Sequence, residues 1–363
     1  MPKDVSTNHG RFLHSFDGLR GIVVVLVLLQ HETFLAHKYL DVSFAGGVFG
    51  LGEFRIDFFF ILSGFFAAWV VGRGHKTENL GIHFLSRRLL RLLPLLWLVT
   101  TVKLVPIIGL GLAGRHQVLD WFQILRSYTL LPSPGYPIVL PAWTLSFELV
   151  FCSLWAVLLS FPWRFRMAAI GLWAVAILAY GRNAPSFWLP AFMLHPYFVD
   201  FIGGALLAET ASSMNVRMRG SIIISAGFVL LMVAVSIQPE LKACPELVRR
   251  LAWGGAAFLI VAGLFRLECQ GVAFPMPSGL RLLAQASYSI YLTHSAVLYV
   301  VMTGLAGRVM NSWTTHLLLV VVAGATVAGG VLVHRWIEVP LQRALHAFRH
   351  VRHRAPLKSG TDA

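Results

Sequence analysis

Residues 16–31, FDGLRGIVVVLVLLQH, decide how this chain is built. Most of the stretch is apolar, and with its flanks it approaches the ~20 residues that an α-helix needs to cross a bilayer. A helix turns about 100° and rises about 1.5 Å per residue, so the step from Arg20 to His31 leaves both on nearly one face, about 16 Å apart. An arginine near one membrane surface, in register with a histidine at membrane depth, is poorly explained as anchoring. Ionisable groups inside a bilayer are costly, and they are by default functional.

Working outward, the same texture continues through all 363 residues. The chain is 57% hydrophobic and only 13% charged, against about 25% charged residues in soluble domains. Apolar runs recur at 16–36, 54–72, 89–108, 143–161, 167–181, 188–208, 220–237, 250–266, 281–303 and 314–336. They predict an all-α, polytopic integral membrane protein with about ten transmembrane helices in one bundle. The division that follows is a polar N-terminal segment over 1–15, a transmembrane domain over 16–340 and a basic tail over 341–363. No small-residue cleavage site follows the first run, so it reads as uncleaved.

A net charge of +14 would suit a nucleic-acid binder, but the placement of the charge fits membrane topology. With the N-terminus inside, inner segments hold 20 of the 30 Lys and Arg. Arg73, Lys76, Arg87, Arg88 and Arg91 share one inner loop, and Arg335, Arg343, Arg349, Arg352, Arg354 and Lys358 lie in the tail. The positive-inside rule therefore predicts a multi-pass protein of the plasma (inner) membrane with both termini cytoplasmic. Its partner is the lipid bilayer, not nucleic acid. Cys152, Cys244 and Cys269 are scattered and give neither a disulfide framework nor a zinc site. His346, His350 and His353 lie in a basic tail without a carboxylate or cysteine, and read as an inner-leaflet contact. No metal is expected.

Depth supplies a second signal. Glu148, in PAWTLSFELVF, and His294, in ASYSIYLTHSAVL, each fall about 20 Å from the inner surface of a core about 30 Å thick, near the level of His31. A shared polar cavity would house all three, and a carboxylate beside an imidazole leaves a base poised near neutral pH. The plainer reading is interhelical hydrogen bonding that holds the bundle together. In SRRLLRLLP, Arg88 and Arg91 lie three apart on one face. They suit either a positive-inside anchor or a phosphate-rich ligand.

Other features read as structural. Asp57, with Arg55 nearby, suits an interfacial ion pair or a helix start, and Ser63-Gly64 suits close helix packing. Glu338 and Pro340, in HRWIEVPLQR, mark the end of the last span. Residues 120–131, DWFQILRSYTLL, predict an amphipathic interfacial helix with Trp121 and Tyr128 as belt residues, or a lid over an outward-facing site. Pro132, Pro134, Pro137 and Pro141 then forbid a regular helix before the next span.

Taken in order, the motifs resemble the membrane-bound acyltransferase 3 family. The resemblance rests on FDGLRGIVVVLVLLQH with its Arg20–x10–His31 spacing, DFFFILSGFF, RRLLR, WTLSFELVF, SYSIYLTH and the closing IEVP. It implies a membrane domain that moves an acyl group, usually acetyl, from cytosolic acyl-CoA to a carbohydrate or glycolipid acceptor. Arg20 and His31 match the family's first-helix pair. Arg88 and Arg91 match its donor-associated R-x-x-R motif, and Glu148 matches the glutamate of its W-S-L-S-x-E segment. Thr144 replaces the usual serine, and Cys152 stands where a tyrosine often follows.

The expectation from residues and resemblance together is an O-acyltransferase with no bound cofactor and acyl-CoA, of which acetyl-CoA is the expected form, as co-substrate. His31 would be the general base and Glu148 the group that orients it or the acceptor. Arg20, Arg88, Arg91 and His294 would bind donor or substrate. The rival reading is a proton-coupled transporter of an anionic solute using Arg20, His31 and Glu148.

Overall fold

Because no water is available to backbone groups inside a bilayer, each apolar run closes its own hydrogen bonds as a helix. A computed structural model describes residues 13–71, 79–109, 120–132, 135–181, 189–210, 219–308 and 311–354. The loop cations Arg73 and Lys76, Pro134 and most of residues 1–15 lie outside these, as does the tail beyond Arg354. The helices are α1 (His14–Leu40), α2 (Phe54–Val71), α3 (Leu80–Gly109), α4 (Trp121–Thr129), α5 (Trp143–Leu158), α6 (Trp163–Tyr180) and α7 (Leu189–Met193). They continue with α8 (Phe198–Thr210), α9 (Gly220–Ser236), α10 (Gln238–Ala243), α11 (Glu246–Cys269), α12 (Ser278–Leu305), α13 (Ser312–Val333) and α14 (Val339–Arg354). Among the described residues there is no strand.

The chain is an all-α polytopic membrane protein. Each of the ten predicted runs is helical, and seven segments are long and apolar enough to cross a bilayer. Helices α2, α8 and α9, with 18, 13 and 17 residues, are not among those seven. Depth in the bundle varies: 56% of the apolar window of α11 is buried, against 11% of that of α6. Leu172 and Val175 on α6, Val229 and Met232 on α9, and Val320 and Val321 on α13 point outward, as lipid-facing side chains do.

Contacts fix direction. Helices α1 and α12 run parallel, since Gly18 faces Leu280 and His31 meets His294. Helix α2 runs against α1, with Phe16 on Phe65 and Phe66. Helix α11 follows α2, pairing Phe54 with Trp253 and Phe65 with Phe265. The expected small-residue packing at Ser63-Gly64 is present: a methyl on Gly64 would overlap the Phe201 carbonyl, and one on Gly204 would overlap that of Ile61. Two backbones therefore touch where α2 crosses α8.

Three expectations change. The run at 188–208 is two helices, α7 and α8, separated at His195-Pro196, because proline lacks the amide that would continue the first. The last span does not end at Glu338. A π-turn (His334–Glu338) carries the chain from α13 into α14, and Glu338 is buried there, accepting from Ser289 Oγ at 2.7 Å and Gln342 Nε2 at 3.0 Å. It also lies 2.8 Å from His334 Nδ1.

Asp57 does not pair with Arg55, whose guanidinium donates to the Gly52 and Phe49 carbonyls at 2.7 and 2.8 Å. Asp57 is fully buried and takes both bonds from Arg250 Nη1, at 2.9 and 3.0 Å. Arg250 also reaches Glu53 and Glu246, and its guanidinium lies over the Tyr197 ring. Asp200 touches Asp57 from α8 and occupies space that only a glycine at position 254 leaves open. One arginine thus ties α2, α8 and α11 together.

The helix expected within 120–131 is present over Trp121–Thr129. Helix α4 lies against α3, where the Trp97 indole donates to the Tyr128 carbonyl at 2.8 Å, and Trp121 is 81% exposed. Described residues between Leu131 and Val139 form no regular helix.

Two outcomes test this packing. Gly64→Val is expected to abolish monodisperse purification, whereas Gly324→Ala, which meets nothing within 4 Å, leaves the thermal midpoint unchanged or raises it. Arg250→Met is expected to cost about 3–5 kcal/mol by stranding Asp57. Arg249→Ala, at the exposed edge of the network, is expected to cost about 0–1 kcal/mol. Size-exclusion chromatography reads Gly64→Val, and thermal unfolding of the detergent-solubilised protein reads the other three.

Candidate active site

Five helices leave a cavity of about 680 Å³ between them. Asp17 and Arg20 come from α1, a run from Ile56 to Phe66 from α2, and Leu80 to Leu92 from α3; α5 gives Thr144, Leu145 and Glu148, and α12 gives Ser287, Tyr288 and Tyr291. The ten-residue step along α2 corresponds to a cavity about 15 Å long. At the end where α1 begins, Arg20, Arg87, Arg88 and Arg91 line the wall with His83. Four arginines face two acids, Asp17 and Glu148, so positive charge is in excess at this end.

The geometry of the mouth follows from helix periodicity. Arg88 and Arg91, three apart on α3, both reach the cavity, and Arg20 on α1 is close enough to feel both their charges. Arg20 lies over the Phe66 ring, 5.9 Å from its centroid. Arg88 Nη1 donates to Glu148 Oε1 at 3.2 Å. Among the described residues, Glu148 is bonded to Arg88 and not to a histidine.

His31 and His294 meet each other instead. Nδ1 of His31 is 2.7 Å from Nε2 of His294, and the rings stack at 4.9 Å with 19° between their planes. Nδ1 of His294 lies 3.1 Å from the Ile290 carbonyl oxygen. A carbonyl only accepts, so Nδ1 of His294 carries the proton and its Nε2 is the acceptor for the N–H of His31 Nδ1. The chain of bonds leaves His31 Nε2 with its lone pair free. His294 is buried, while His31 keeps partial exposure.

Neither histidine lines the arginine-lined cavity; Tyr291 stands between the cavity and the pair. The Tyr291 ring, 5.9 Å from His294, is part of the cavity wall. Its hydroxyl lies between Thr144 Oγ1 at 2.7 Å and the Pro141 carbonyl at 2.9 Å. The structure therefore gathers the six residues singled out in the sequence into two groups: Arg20, Arg88, Arg91 and Glu148 on the cavity, and His31 with His294 beyond Tyr291.

Two further residues belong to this region: Glu32, passed over in the sequence, and Arg55, read there only as a neighbour of Asp57. Glu32 is fully buried, and neither carboxylate oxygen has a hydrogen-bond partner among the described residues. Arg55 is buried on α2, and its charge acts on His31. The signal for Glu32 was present, as an acid inside an apolar span. Arg55 stands at the start of a span, where arginine is ordinary.

Comparison with known proteins identifies the family. Residues 13–335 match the family described as Acyltransferase domain. The chain is 29% identical to the exopolysaccharide production protein ExoZ of Rhizobium meliloti, over 84% of this chain and 94% of that protein. It is 23% identical to the peptidoglycan O-acetyltransferase OatA of Listeria monocytogenes, over 92% of this chain but only 56% of that longer protein. A putative peptidoglycan O-acetyltransferase, YrhL of Bacillus subtilis, matches over 42% of this chain at 26% identity. No solved structure matches. A helical membrane bundle matched by this domain over nearly its whole length leaves one assignment: the chain belongs to the acyltransferase 3 family and is a transferase of groups other than amino-acyl groups.

Proposed function

We propose that this protein is an O-acyltransferase that moves an acyl group, acetyl in the simplest case, from cytosolic acyl-CoA to a hydroxyl of a surface carbohydrate or glycolipid. The observation that carries the reading is the arginine-lined cavity that leads from the start of α1 to the Tyr291 ring beside the histidine pair. In it the arginines face the cytosol, in keeping with the positive-inside count, and both termini lie on that side of the plasma membrane. The names of the relatives, which refer to exopolysaccharide and peptidoglycan, support a carbohydrate acceptor.

The chemistry divides between the two groups. Arg20, Arg88 and Arg91 hold the phosphates of CoA, whose charge and bidentate geometry suit guanidinium groups. The pantetheine arm runs along the apolar wall toward Tyr291. His31 Nε2 takes the proton of the acceptor hydroxyl as its oxygen attacks the thioester carbon; the C–O bond forms, the C–S bond breaks, and the proton passes to the leaving thiolate. His294 is a positioning residue that fixes the tautomer of His31 and shares its positive charge. Glu148 aligns Arg88 on the donor.

The test is transfer from labelled acetyl-CoA by the full chain in lipid nanodiscs, with the O-acetyl content of surface glycans measured by mass spectrometry. His31→Ala is expected to abolish transfer while insertion and folding persist. His294→Ala is expected to lower kcat about 10²-fold with little change in the donor KM. Arg88→Ala is expected to raise the donor KM about tenfold or more. Normal turnover by His31→Ala would overturn the assignment. Uptake of an anionic solute into vesicles without acyl-CoA would support transport in its place.

A further inference from the structure

Across the first two turns of α5 from the arginine-lined cavity lies a second cavity, of about 390 Å³. Its walls come from α4, the segment that follows it, the start of α5 and the break between α7 and α8. Tyr136, Trp143 and Tyr197 supply aromatic faces, and Arg126, Ser146 and His195 supply polar edges. The Trp143 and Tyr197 rings are 5.4 Å apart at 45°, forming a corner instead of a stack. Tyr197 is backed by His195 at 4.7 Å. Gly135, at φ +82°, lets the backbone pass Arg126, whose Nη2 would lie 3.5 Å from an added Cβ.

A pyranose ring has the complementary surface. Its C–H groups lie on the two faces and suit aromatic rings, while its hydroxyls project from the rim toward fixed polar groups. A lipid tail has no use for an arginine, a serine and a histidine on the wall. The position also fits. Phe60 lines the arginine-lined cavity and stands 5.3 Å from Tyr197 and 6.1 Å from Phe147, which both line this one. A single layer of rings separates the two cavities. Helix α5 turns Thr144, Leu145 and Glu148 toward the first and Trp143, Ser146 and Phe147 toward the second.

We propose that this second cavity is a saccharide subsite that holds one pyranose unit of the acceptor, clamped in the corner of Trp143 and Tyr197. The inference rests on the acyltransferase reading for its purpose, but its binding chemistry is tested independently. The full chain in nanodiscs is probed by saturation-transfer NMR with cellotetraose and chitotetraose, and labelled acetyl-CoA binding is measured on the same samples.

The expected result is saturation of sugar C–H protons by the unmodified protein. The apparent affinity falls about tenfold in Trp143→Ala and is partly restored in Trp143→Phe. Tyr136→Ala, at an exposed edge of the cavity, also weakens it. Helical content and acetyl-CoA binding stay unchanged in these three, which separates recognition from misfolding. Arg88→Ala is expected to do the reverse, weakening acetyl-CoA while keeping the sugar signal. Equal sugar signals with and without Trp143, no signal from either tetrasaccharide, or displacement of the signal by dihexanoylphosphatidylcholine would each overturn the subsite. Sugar binding with no acetyl-CoA binding would support the subsite and overturn the donor reading alone.

Discussion

A charge removed from water must find its partner inside the bundle, and in this protein that constraint falls on Arg250. Its guanidinium is fully buried and bonds Asp57 with both carboxylate oxygens, while Glu53, Glu246 and the Tyr197 ring close around it. Replacing such a group by apolar packing need not weaken a fold, but removing one partner leaves a stranded charge. The network therefore specifies an arrangement more than it adds net stability. It sets how α2, α8 and α11 meet, and α2 in turn carries the cavity wall from Ile56 to Phe66. Gly64 and Gly204 complete the constraint, because there the backbones of α2 and α8 come into contact.

Much of this was legible in the sequence, for identifiable reasons. Apolar length predicts helices in a bilayer because an unpaired backbone group has no alternative there, and all ten runs are helical. Helical spacing brought Arg88 and Arg91 to one cavity, and small size allowed Gly64 its close approach. What failed was partner choice. Asp57 was read against Arg55, two positions away, but its partner comes from α11, 193 positions along. Glu148 was read against His31 because both lie at similar depth. Depth fixes one coordinate, and rotation about each helix axis decides the other two. The break at His195-Pro196 follows from a proline that the sequence shows within the run, whereas the continuation through the π-turn at 334–338 depends on neighbours that single-chain patterns do not contain. A π-turn also inserts a residue into the helical register, which is what brings Glu338 under Ser289 and His334.

Helix α5 has an unusual share of the work. One face lines the arginine-lined cavity and the other the aromatic corner, so a small rotation of its first two turns would alter both at once. Tyr291 limits that rotation by bonding to Thr144 and to the Pro141 carbonyl just ahead of the helix. The proline-rich approach to α5 then acts as a stiff bracket. The two cavities are thereby held on one rigid element while remaining separated by a layer of rings.

The hydrogen-bond chain through His31 and His294 ends on the carbonyl of Ile290. A main-chain carbonyl can neither release a proton nor pass one on, so the pair is a dead end on that side. On the proposed chemistry it takes up a single additional proton, which enters and leaves through His31 Nε2. This makes each turnover self-clearing: the proton taken from the acceptor has to leave with the thiol before a second hydroxyl can be deprotonated. A relay for moving protons across a membrane needs two open ends, and this pair has one.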